Sequence, residues 1–377
     1  MTVVVDDASL RRAWKRVEGD FLWEFVPDSE RSDLSAVSEA IEAVNALIPY
    51  GTGAWCAPPL VTERGTAVAE LYADPDWAED RRWFDLVAAA LAERGLSGRI
   101  VAARSARLPL WIEDRRRRFI SAMVGLPVDP AHLASPEQGW GQLGVSQDLV
   151  QRVAGLAAAW AGSGISRHYL IRDLYIAQLG PEDLEGPVVH AAVREGAATA
   201  VWMPARGKRF HSLGFSTQGK VVLQLGADDG AWVDQLQSLT DLLRAVGALA
   251  EVAWCGLAPP LADWAFDARD LNAHFAQTPR LRARFVPDAH GIFVLTPEHL
   301  AKARDLSDWR LEELGNDRTL VVHKNLGAWF AQKEPDVEVL EKARADLGPM
   351  ILTKQDVREH RISLGLPVGD LPSAGAS

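Results

Sequence analysis

Cysteine is scarce in this sequence, and long apolar runs are absent. The 377 residues include two cysteines, Cys56 and Cys255, each directly after a tryptophan in an apolar stretch. So few and so distant cysteines argue against a disulfide-rich secreted scaffold, and we interpret both as buried, reduced thiols. No run of 18 apolar residues occurs, which argues against a membrane span, and the first residues lack the apolar core of a signal peptide. The sequence therefore predicts a cytoplasmic protein that does not cross a membrane.

Basic residues are too few to balance the acidic ones. There are 40 Lys and Arg against 51 Asp and Glu, which gives a formal net charge of −11. A chain this acidic repels phosphate backbones, so nucleic-acid binding would need a local basic patch. The imbalance argues against nucleic acid as a partner and favours a basic protein.

The familiar catalytic motifs are missing. None of the nine histidines pairs at the i, i+4 spacing of a metalloprotease helix, and no Cys-x-x-Cys occurs. No Gly-x-Gly-x-x-Gly follows a predicted strand, and neither a Walker lysine motif nor a Gly-x-Ser-x-Gly elbow is present. We therefore predict no catalytic residue, no metal site and no cofactor, and this interpretation leans away from an enzyme.

Tryptophan is the residue that the sequence has in excess, with 14 against only 4 tyrosines. Tryptophan supplies large buried area in cores and is also enriched at protein interfaces. Ordinary packing is the simpler explanation, and a partner-binding surface is the alternative.

The order of predicted strands and helices indicates an α+β protein with two ferredoxin-like units in tandem. Residues 1–104 read as a lead-in helix followed by the βαββαβ order of a ferredoxin-like unit. Residues 105–165 read as a helical connector, and residues 166–262 repeat the βαββαβ order. Residues 263–365 form a smaller C-terminal α/β section, and residues 366–377 a disordered tail.

Two local signals support this interpretation. Segments 70–77 and 224–232 both carry Ala-Asp ahead of a tryptophan that opens a predicted helix, which favours an internal duplication. In the second unit, Gln218-Gly219 stands between two apolar runs and predicts a hairpin turn.

Lys208, Arg209 and His211 form the most suggestive polar cluster, at the start of a predicted strand. On an open sheet face such residues can bind RNA, so RNA binding through residues 206–220 is one alternative. The aromatic spacing that base stacking needs is missing, and lysine at a strand edge also prevents aggregation. A solvated basic edge is therefore the favoured interpretation. If two sheets close into an α+β barrel, His211 would instead line a pocket for haem or another small molecule.

Acidic residues precede two predicted helices, and a tryptophan stands beside each group. The first group is Asp74, Asp76 and Trp77, and the second is Asp228, Asp229 and Trp232. Acids at the first turn of a helix complement its dipole, which explains most of them. The remainder could present a negative surface to a basic partner and speed its association.

The run Arg115–Arg118 directly follows two acids, Glu113 and Asp114, so the local charge nearly cancels. A phosphate-binding patch is one interpretation. A salt-bridged, exposed helix is the favoured one.

Two segments near the C-terminus carry a resemblance. Residues 291–300 (Gly-Ile-Phe-Val-Leu-Thr-Pro-Glu-His-Leu) and 314–322 (Leu-Gly-Asn-Asp-Arg-Thr-Leu-Val-Val) follow the two α/β units. This arrangement resembles bacterial immunity proteins of interbacterial toxin systems, in which a Gly-x-x-x-Leu-Thr strand precedes a helix and a Leu-Gly-x-x-x-x-Leu turn precedes a strand. The resemblance covers about the last two-thirds of the chain, and the N-terminal unit departs from the usual size. It implies neutralisation of a cognate toxin by binding, and it carries over no catalytic residue.

Three functions follow as hypotheses. The first is a non-catalytic protein-binding factor, such as an immunity protein that binds a basic toxin. The second is an α+β-barrel enzyme or a protein that binds haem or another small molecule. The third is RNA binding through residues 206–220.

Overall fold

In the computed structural model the chain is an α+β protein that divides into two compact units, residues 1–107 with 168–184 and residues 108–167 with 185–377. The residues that the structure describes are 2–15, 21–29, 34–48, 53–56, 59–62, 65–103, 106–113, 117–129, 143–162, 164–172, 175–179, 185–216, 218–227, 232–258, 261, 279–332, 334–363 and 365. The predicted tail at 366–377 lies outside them. No helix among the described residues has the length and apolar character needed to cross a bilayer.

The first unit is built on a mixed sheet. Its strands are β1 (Val3–Val5), β2 (Phe21–Pro27), β3 (Trp55–Cys56), β4 (Leu60–Val61), β5 (Ala67–Tyr72) and β6 (Gly98–Ala102). The sheet order is β1-β6-β2-β5-β3, with β4 also paired to β5. β1 runs parallel to β6, whereas the pairs β6–β2, β2–β5 and β5–β3 are antiparallel.

Three helices cover this sheet: α1 (Asp7–Trp14), α2 (Ser35–Leu47) and α3 (Trp77–Glu93). Alternate residues of β2 are buried, because successive side chains of a strand point to opposite faces. The buried residues Trp23, Trp83 and Phe84 pack edge to face with ring centroids 5.3–5.8 Å apart. This aromatic cluster is the centre of the first unit's core.

A hairpin, β8 (Ile165–Arg172) with β9 (Tyr175–Leu179), includes residues assigned to the first unit. Its strands are antiparallel, with His168 opposite Leu179. The backbone N–H of Ala106 donates to the carbonyl of Ile176 at 2.8 Å. The sequence pattern over 168–178 predicts a single strand, and the structure has two strands there.

The second unit contains an antiparallel sheet with the order β15-β16-β14-β13-β7-β12-β11-β10. These strands are β7 (Phe119–Gly125), β10 (Ala198–Pro204), β11 (Arg209–Ser216), β12 (Lys220–Ala227), β13 (Val252–Ala258), β14 (Ile292–Leu295), β15 (Trp309–Gly315) and β16 (Arg318–His323). β7 is buried along its whole length and lies between β13 and β12.

The longer helices of the second unit are α5 (Gln147–Ala161), α6 (Glu185–Glu195), α7 (Trp232–Gly247), α11 (Val337–Leu347) and α12 (Lys354–Ser363). Four others have four residues each: α4 (Leu110–Glu113), α8 (Pro279–Arg282), α9 (Pro297–Leu300) and α10 (Gly327–Phe330). α7 packs against β7 and β12, and α5 packs against β11. These helices bury one face of the sheet.

The predicted hairpin at Gln218-Gly219 is confirmed. Both residues have positive φ, 63° and 69°, and they join β11 to β12. Because Ser216 pairs with Lys220, the connection has three residues, and its last residue is a glycine, which adopts a positive φ without steric cost. A Cβ on Gly219 would lie 2.7 Å from the carbonyl oxygen of Leu126, so the close backbone approach requires glycine as well.

Several predicted elements were wrong. The lead-in helix begins only after β1, and the segment 105–165, read as a connector, supplies β7 to the sheet. Strand β10 (Ala198–Pro204) was not predicted from the sequence. The apolar run Met350-Ile-Leu-Thr predicts a last strand, but Met350 ends a 3₁₀ turn, and Ile351 forms only a single bridge to Val286.

Candidate functional site

The basic strand cluster does not form an open binding face. Lys208 and Arg209 are exposed, but His211 is only 3% exposed because Trp160 of α5 covers it, with ring centroids 4.6 Å apart. Burial, with a smaller contribution from the Arg209 guanidinium, lowers the pKa of His211 to about 4. His211 is therefore neutral near pH 7, packed under a helix and held away from solvent.

The aromatic residues of the same segment are also buried. Phe210 and Phe215 on β11 are 0% and 2% exposed. Base stacking needs an accessible aromatic face, and the described part of 206–220 offers none. Only Lys208 and Arg209 remain from the predicted cluster as surface charges.

The acidic group of the first unit has structural roles at the start of α3. Asp76 is the N-cap, and its carboxylate accepts a hydrogen bond from the backbone N–H of Ala78 at 3.0 Å. Asp74 accepts from the backbone N–H of Asp76 at 2.8 Å. Trp77 is half-buried and packs against Trp14, with ring centroids 5.9 Å apart. Asp76 and the following Glu79 are nevertheless exposed, so negative charge remains at this surface.

Asp80 of the same helix is completely buried. Its Oδ1 accepts a hydrogen bond from the backbone N–H of Asp74 at 2.8 Å. Burial raises the pKa of Asp80 to about 6, and the nearby negative charges of Asp74 and Asp76 add to the effect, although the hydrogen bond opposes it. A buried carboxyl group beside two acids favours its neutral form.

Replacing Asp80 with asparagine is expected to flatten the pH dependence of the first unit's stability. With a raised pKa, the folded state holds this proton more tightly than the unfolded state, so the group stabilises the fold below pH 4 and loses that contribution as pH rises through 6. Between pH 4 and 7, we expect Asp80 to lower the free energy of unfolding of the wild type by about 1–3 kcal/mol. The variant should not show this decrease. Denaturant titrations at several pH values measure it. Equal pH slopes in both proteins would contradict the prediction.

Trp232 is the one member of the second predicted group that the structure describes, since Asp228 and Asp229 lie outside the described residues. It opens α7 and lines a pocket of about 460 Å³. The pocket lies where β7 and β11 begin and β12 and β13 end. Ala227 and Leu257, close to the ends of β12 and β13, both line it.

The pocket has an apolar wall and a polar part. Phe119, Ile120, Trp232, Leu257 and Phe330 form the wall. The first two lie on β7, Leu257 on β13, and Phe330 ends α10. Ile120 and Leu257 are register partners across β7 and β13, so the sheet itself fixes their positions.

The polar part contains Arg117, Arg118, Gln235 and Gln332. The arginines directly precede β7, with Arg118 exposed and Arg117 half-buried. The Arg117 guanidinium lies over the ring of Trp111, 5.8 Å from its centroid. Cationic and amide groups around an apolar wall are typical of a site for an amphipathic molecule.

The sequence reasoning missed this pocket, although it singled out two of its parts. Trp232 was predicted as a binding residue, but as part of an acidic surface for a protein partner and not as part of a pocket. Arg117 and Arg118 were assigned to an exposed helix, whereas they lie outside any helix, directly before β7. The Arg115–Arg118 run and its phosphate-patch alternative were the signal that could have located the site.

The remaining tryptophans do not form a surface patch. Trp140 and Trp264 lie outside the described residues, and none of the other twelve is exposed. Within the described part of the chain, packing therefore accounts for the tryptophan content.

Neither described cysteine is placed for surface chemistry. Cys56 and Cys255 are both buried and neither forms a disulfide, and burial raises the pKa of the Cys255 thiol well above its usual range. Across the described ranges, no three metal-ligating side chains of His, Cys, Asp or Glu come together. No protein-family model matches the chain, and no curated protein matches it.

Proposed function

We propose that the chain is a binding protein for a small organic molecule, which occupies the pocket at the end of the second unit's sheet. The observation that carries this proposal is the pocket itself. Its volume of about 460 Å³ falls within the roughly 300–1,000 Å³ of ligand sites, and its apolar wall with a few polar groups has their usual composition.

The position of the pocket also supports a preformed site. The sheet residues of the wall belong to strands with paired neighbours, so ligand binding would order little additional backbone. A first-turn residue of α7, Trp232, and the last residue of α10, Phe330, enclose the apolar side. Small changes in these side chains should therefore change binding directly.

A larger side chain on strand β12, placed so that it fills the pocket, tests this proposal. Ala227→Phe places an aromatic ring in the volume, and Ala205→Phe, at an exposed loop position outside the lining, is the matched control. Native mass spectrometry and saturation-transfer NMR against a library of small aromatic and aliphatic compounds measure binding. We expect compounds that bind the wild type and the control to lose at least about tenfold in affinity with Ala227→Phe. Equal binding to all three proteins, or no compound binding at all, would overturn the proposal.

We also propose that the fold consists of two ferredoxin-like units in tandem. In chain order, β2, α2, β3, β5, α3 and β6 give the antiparallel order β6-β2-β5-β3 in the first unit. In the second unit, β7, α5, β11, β12, α7 and β13 give β13-β7-β12-β11. Both orders support the ferredoxin-like path, with β7 as the first strand of the second repeat.

A protein partner is the second candidate, and the exposed carboxylates of Asp76 and Glu79 favour it. Together with the net charge of −11, they present negative charge to a basic protein, as an immunity protein would to a basic toxin. Binding of such a partner requires no catalytic residue.

A capped, charge-reduced variant tests this second candidate. Asp76→Ser with Glu79→Gln removes two negative charges and keeps an N-cap residue, and Asp336→Ser with Glu338→Gln makes the same change at α11. After purification from the native host, native mass spectrometry should find a stoichiometric partner whose affinity falls about tenfold in the first variant and not in the second. A partner held equally by both variants, or no partner, would contradict it.

A further inference from the structure

We infer that the outer edge of β15 is a dimerisation surface, on which the same strand of a second copy of this chain pairs antiparallel about a twofold axis at Leu311. The sheet ends at β15, and among the described strands only β16 pairs with it. An edge strand offers its outward backbone groups to another strand. This surface is separate from the proposed pocket, since no described lining residue of the pocket lies on β15.

The backbone groups of Leu311 point to the outer edge. The carbonyl of Asp308 accepts a hydrogen bond from the backbone N–H of Lys324 at 2.9 Å, so position 308 faces β16. These directions alternate along an antiparallel strand, so position 311 faces the other way. The register partner of position 309, His323, agrees, because its N–H donates to the carbonyl of Gly291 on the β14 side. Leu311 placed opposite its own copy therefore exchanges two backbone hydrogen bonds with it.

The residues on either side of Leu311 carry opposite charges. In an antiparallel pair centred on Leu311, Arg310 lies opposite Glu312 of the second copy, and the twofold axis makes this contact twice. Arg310 is exposed. Glu312 accepts from Nε of Arg244 through Oε1 at 2.8 Å, so its second oxygen can accept from the incoming guanidinium. Leu311 is 47% exposed in the single chain, and pairing covers it with the same apolar side chain.

The sequence of β15 favours this register over the adjacent ones. A twofold axis perpendicular to the sheet places one residue opposite itself. At Arg310 or Glu312 the axis would put like charges opposite each other, which destabilises a strand pair. At Glu313 it would do the same and would meet the irregularity between Glu313 and Gly315. Among positions 310–313, Leu311 is the one centre that combines an apolar contact with complementary flanking charges.

The length of the strand sets the expected strength of the dimer. At one end the N–H of Trp309 already donates to the carbonyl of Leu306 at 3.0 Å, and at the other end the register shifts after Glu313. The pairing therefore covers about five residues of each copy, less than the roughly 1,200 Å² of a standard interface. We expect a reversible dimer with a dissociation constant of about 10–200 µM.

A single cysteine at the axis tests the geometry. Residues of a hydrogen-bonded antiparallel pair have Cα atoms about 5.5 Å apart, which a disulfide can span. Under mild oxidation, Leu311→Cys should form a covalent dimer, measured by nonreducing electrophoresis and mass spectrometry. Val337→Cys, at a 72% exposed position of α11, is the matched control and should crosslink at least about tenfold less. The native Cys56 and Cys255 are buried and do not compete.

Charge reversal tests the register. Sedimentation velocity of the full chain from about 5 to about 500 µM, at about 0.15 M salt to screen long-range repulsion, measures the dimer. Arg310→Glu places a glutamate opposite Glu312 twice and should raise the dissociation constant at least about tenfold. Arg152→Glu makes the same charge change at an exposed position of α5 and should leave it unchanged. Circular dichroism verifies that each variant is folded.

The outcomes decide the inference without reference to the pocket. Equal crosslinking of Leu311→Cys and Val337→Cys would overturn it. A dimer that Arg310→Glu and Arg152→Glu weaken to the same extent forms with another register or on another surface, and would overturn it as well. Ala227→Phe, which fills the pocket, should dimerise like the wild type, so a failure of the proposed function leaves this test unaffected.

Discussion

Replacing Trp23 with alanine is expected to lower the free energy of unfolding of the first unit by about 3–5 kcal/mol. Trp23 is fully buried, and its ring packs edge to face against Trp83 and Phe84 with centroids 5.7 and 5.8 Å away. Its indole N–H also donates to Sγ of Cys56 at 3.3 Å. The substitution removes the apolar contacts, the edge-to-face pairs and this weak hydrogen bond, and it leaves a cavity in the middle of β2.

Hydrogen exchange measured by mass spectrometry on the full chain is suited to this prediction, because a chain with two units need not unfold in one step. Amides of β2, β5 and β6 should lose protection in Trp23→Ala, while those of β7 and β12 should keep it. Trp23→Phe retains an aromatic ring and is the matched variant, with a smaller loss. A loss below about 1 kcal/mol in Trp23→Ala would contradict the central position assigned to this residue.

Replacing Arg282 with methionine is expected to lower the free energy of unfolding of the second unit by about 3 kcal/mol. Arg282 is 1% exposed, lies 3.9 Å from the Glu251 carboxylate and donates from Nη2 to the carbonyl of Leu126 at 3.3 Å. Its removal leaves Glu251 without its buried counter-charge. We expect the lower end of the range for buried pairs, because Glu251 is 22% exposed and Arg318 also attracts it.

Denaturant unfolding of Arg282→Met and of Arg282→Met with Glu251→Gln measures the effect as a double-mutant comparison. The second substitution removes the stranded charge, so the double variant should recover at least about 1 kcal/mol. A double variant less stable than the single one would show that Arg282 acts through packing alone. Burial lowers the pKa of Arg282 to about 10, against the attraction of Glu251, so Arg282 is charged at neutral pH.

Arg282 also explains a glycine in the central strand. A Cβ on Gly125 would lie 2.9 Å from Nε of Arg282, so the end of β7 leaves room for the guanidinium. The buried guanidinium of Arg282, the last residue of α8, therefore lies against the end of β7, more than 150 residues earlier in the chain. The site pocket lies at the opposite end of β7, where Phe119 and Ile120 line it. We therefore expect Arg282→Met to reduce stability without changing the selectivity of the pocket.

The elements that the sequence predicted are those whose signals are local. The β-branched and aromatic run that ends at a proline predicts a strand over 21–27, and β2 has these bounds, Phe21–Pro27. α3 begins at Trp77 after its Asp76 cap, and the turn at Gln218-Gly219 follows from its residue types. Each of these patterns is contained in fewer than about twenty consecutive residues.

β7 shows why the remaining fold could not be predicted in the same way. Its sequence, Phe-Ile-Ser-Ala-Met-Val-Gly, is buried at every position, so it has no alternation to mark it as a strand. Its role depends on β12 and β13, which follow it by about a hundred residues, and those pairings are long-range. Reading 105–165 as a connector therefore moved the start of the second predicted repeat to residue 166.

By itself, the sequence determined the acidic charge, the absence of familiar catalytic motifs, the α+β class and most individual helices and strands. These depend on composition and on short-range periodicity. The tertiary structure alone decided that α5 buries His211 and that Arg117 and Arg118 meet Trp232 and Phe330 around one pocket. Those four pocket residues come from three distant parts of the chain, and their proximity is produced by strand pairing and by helix packing on the sheet. A pocket is a property of distances between such segments, and no local sequence pattern encodes them.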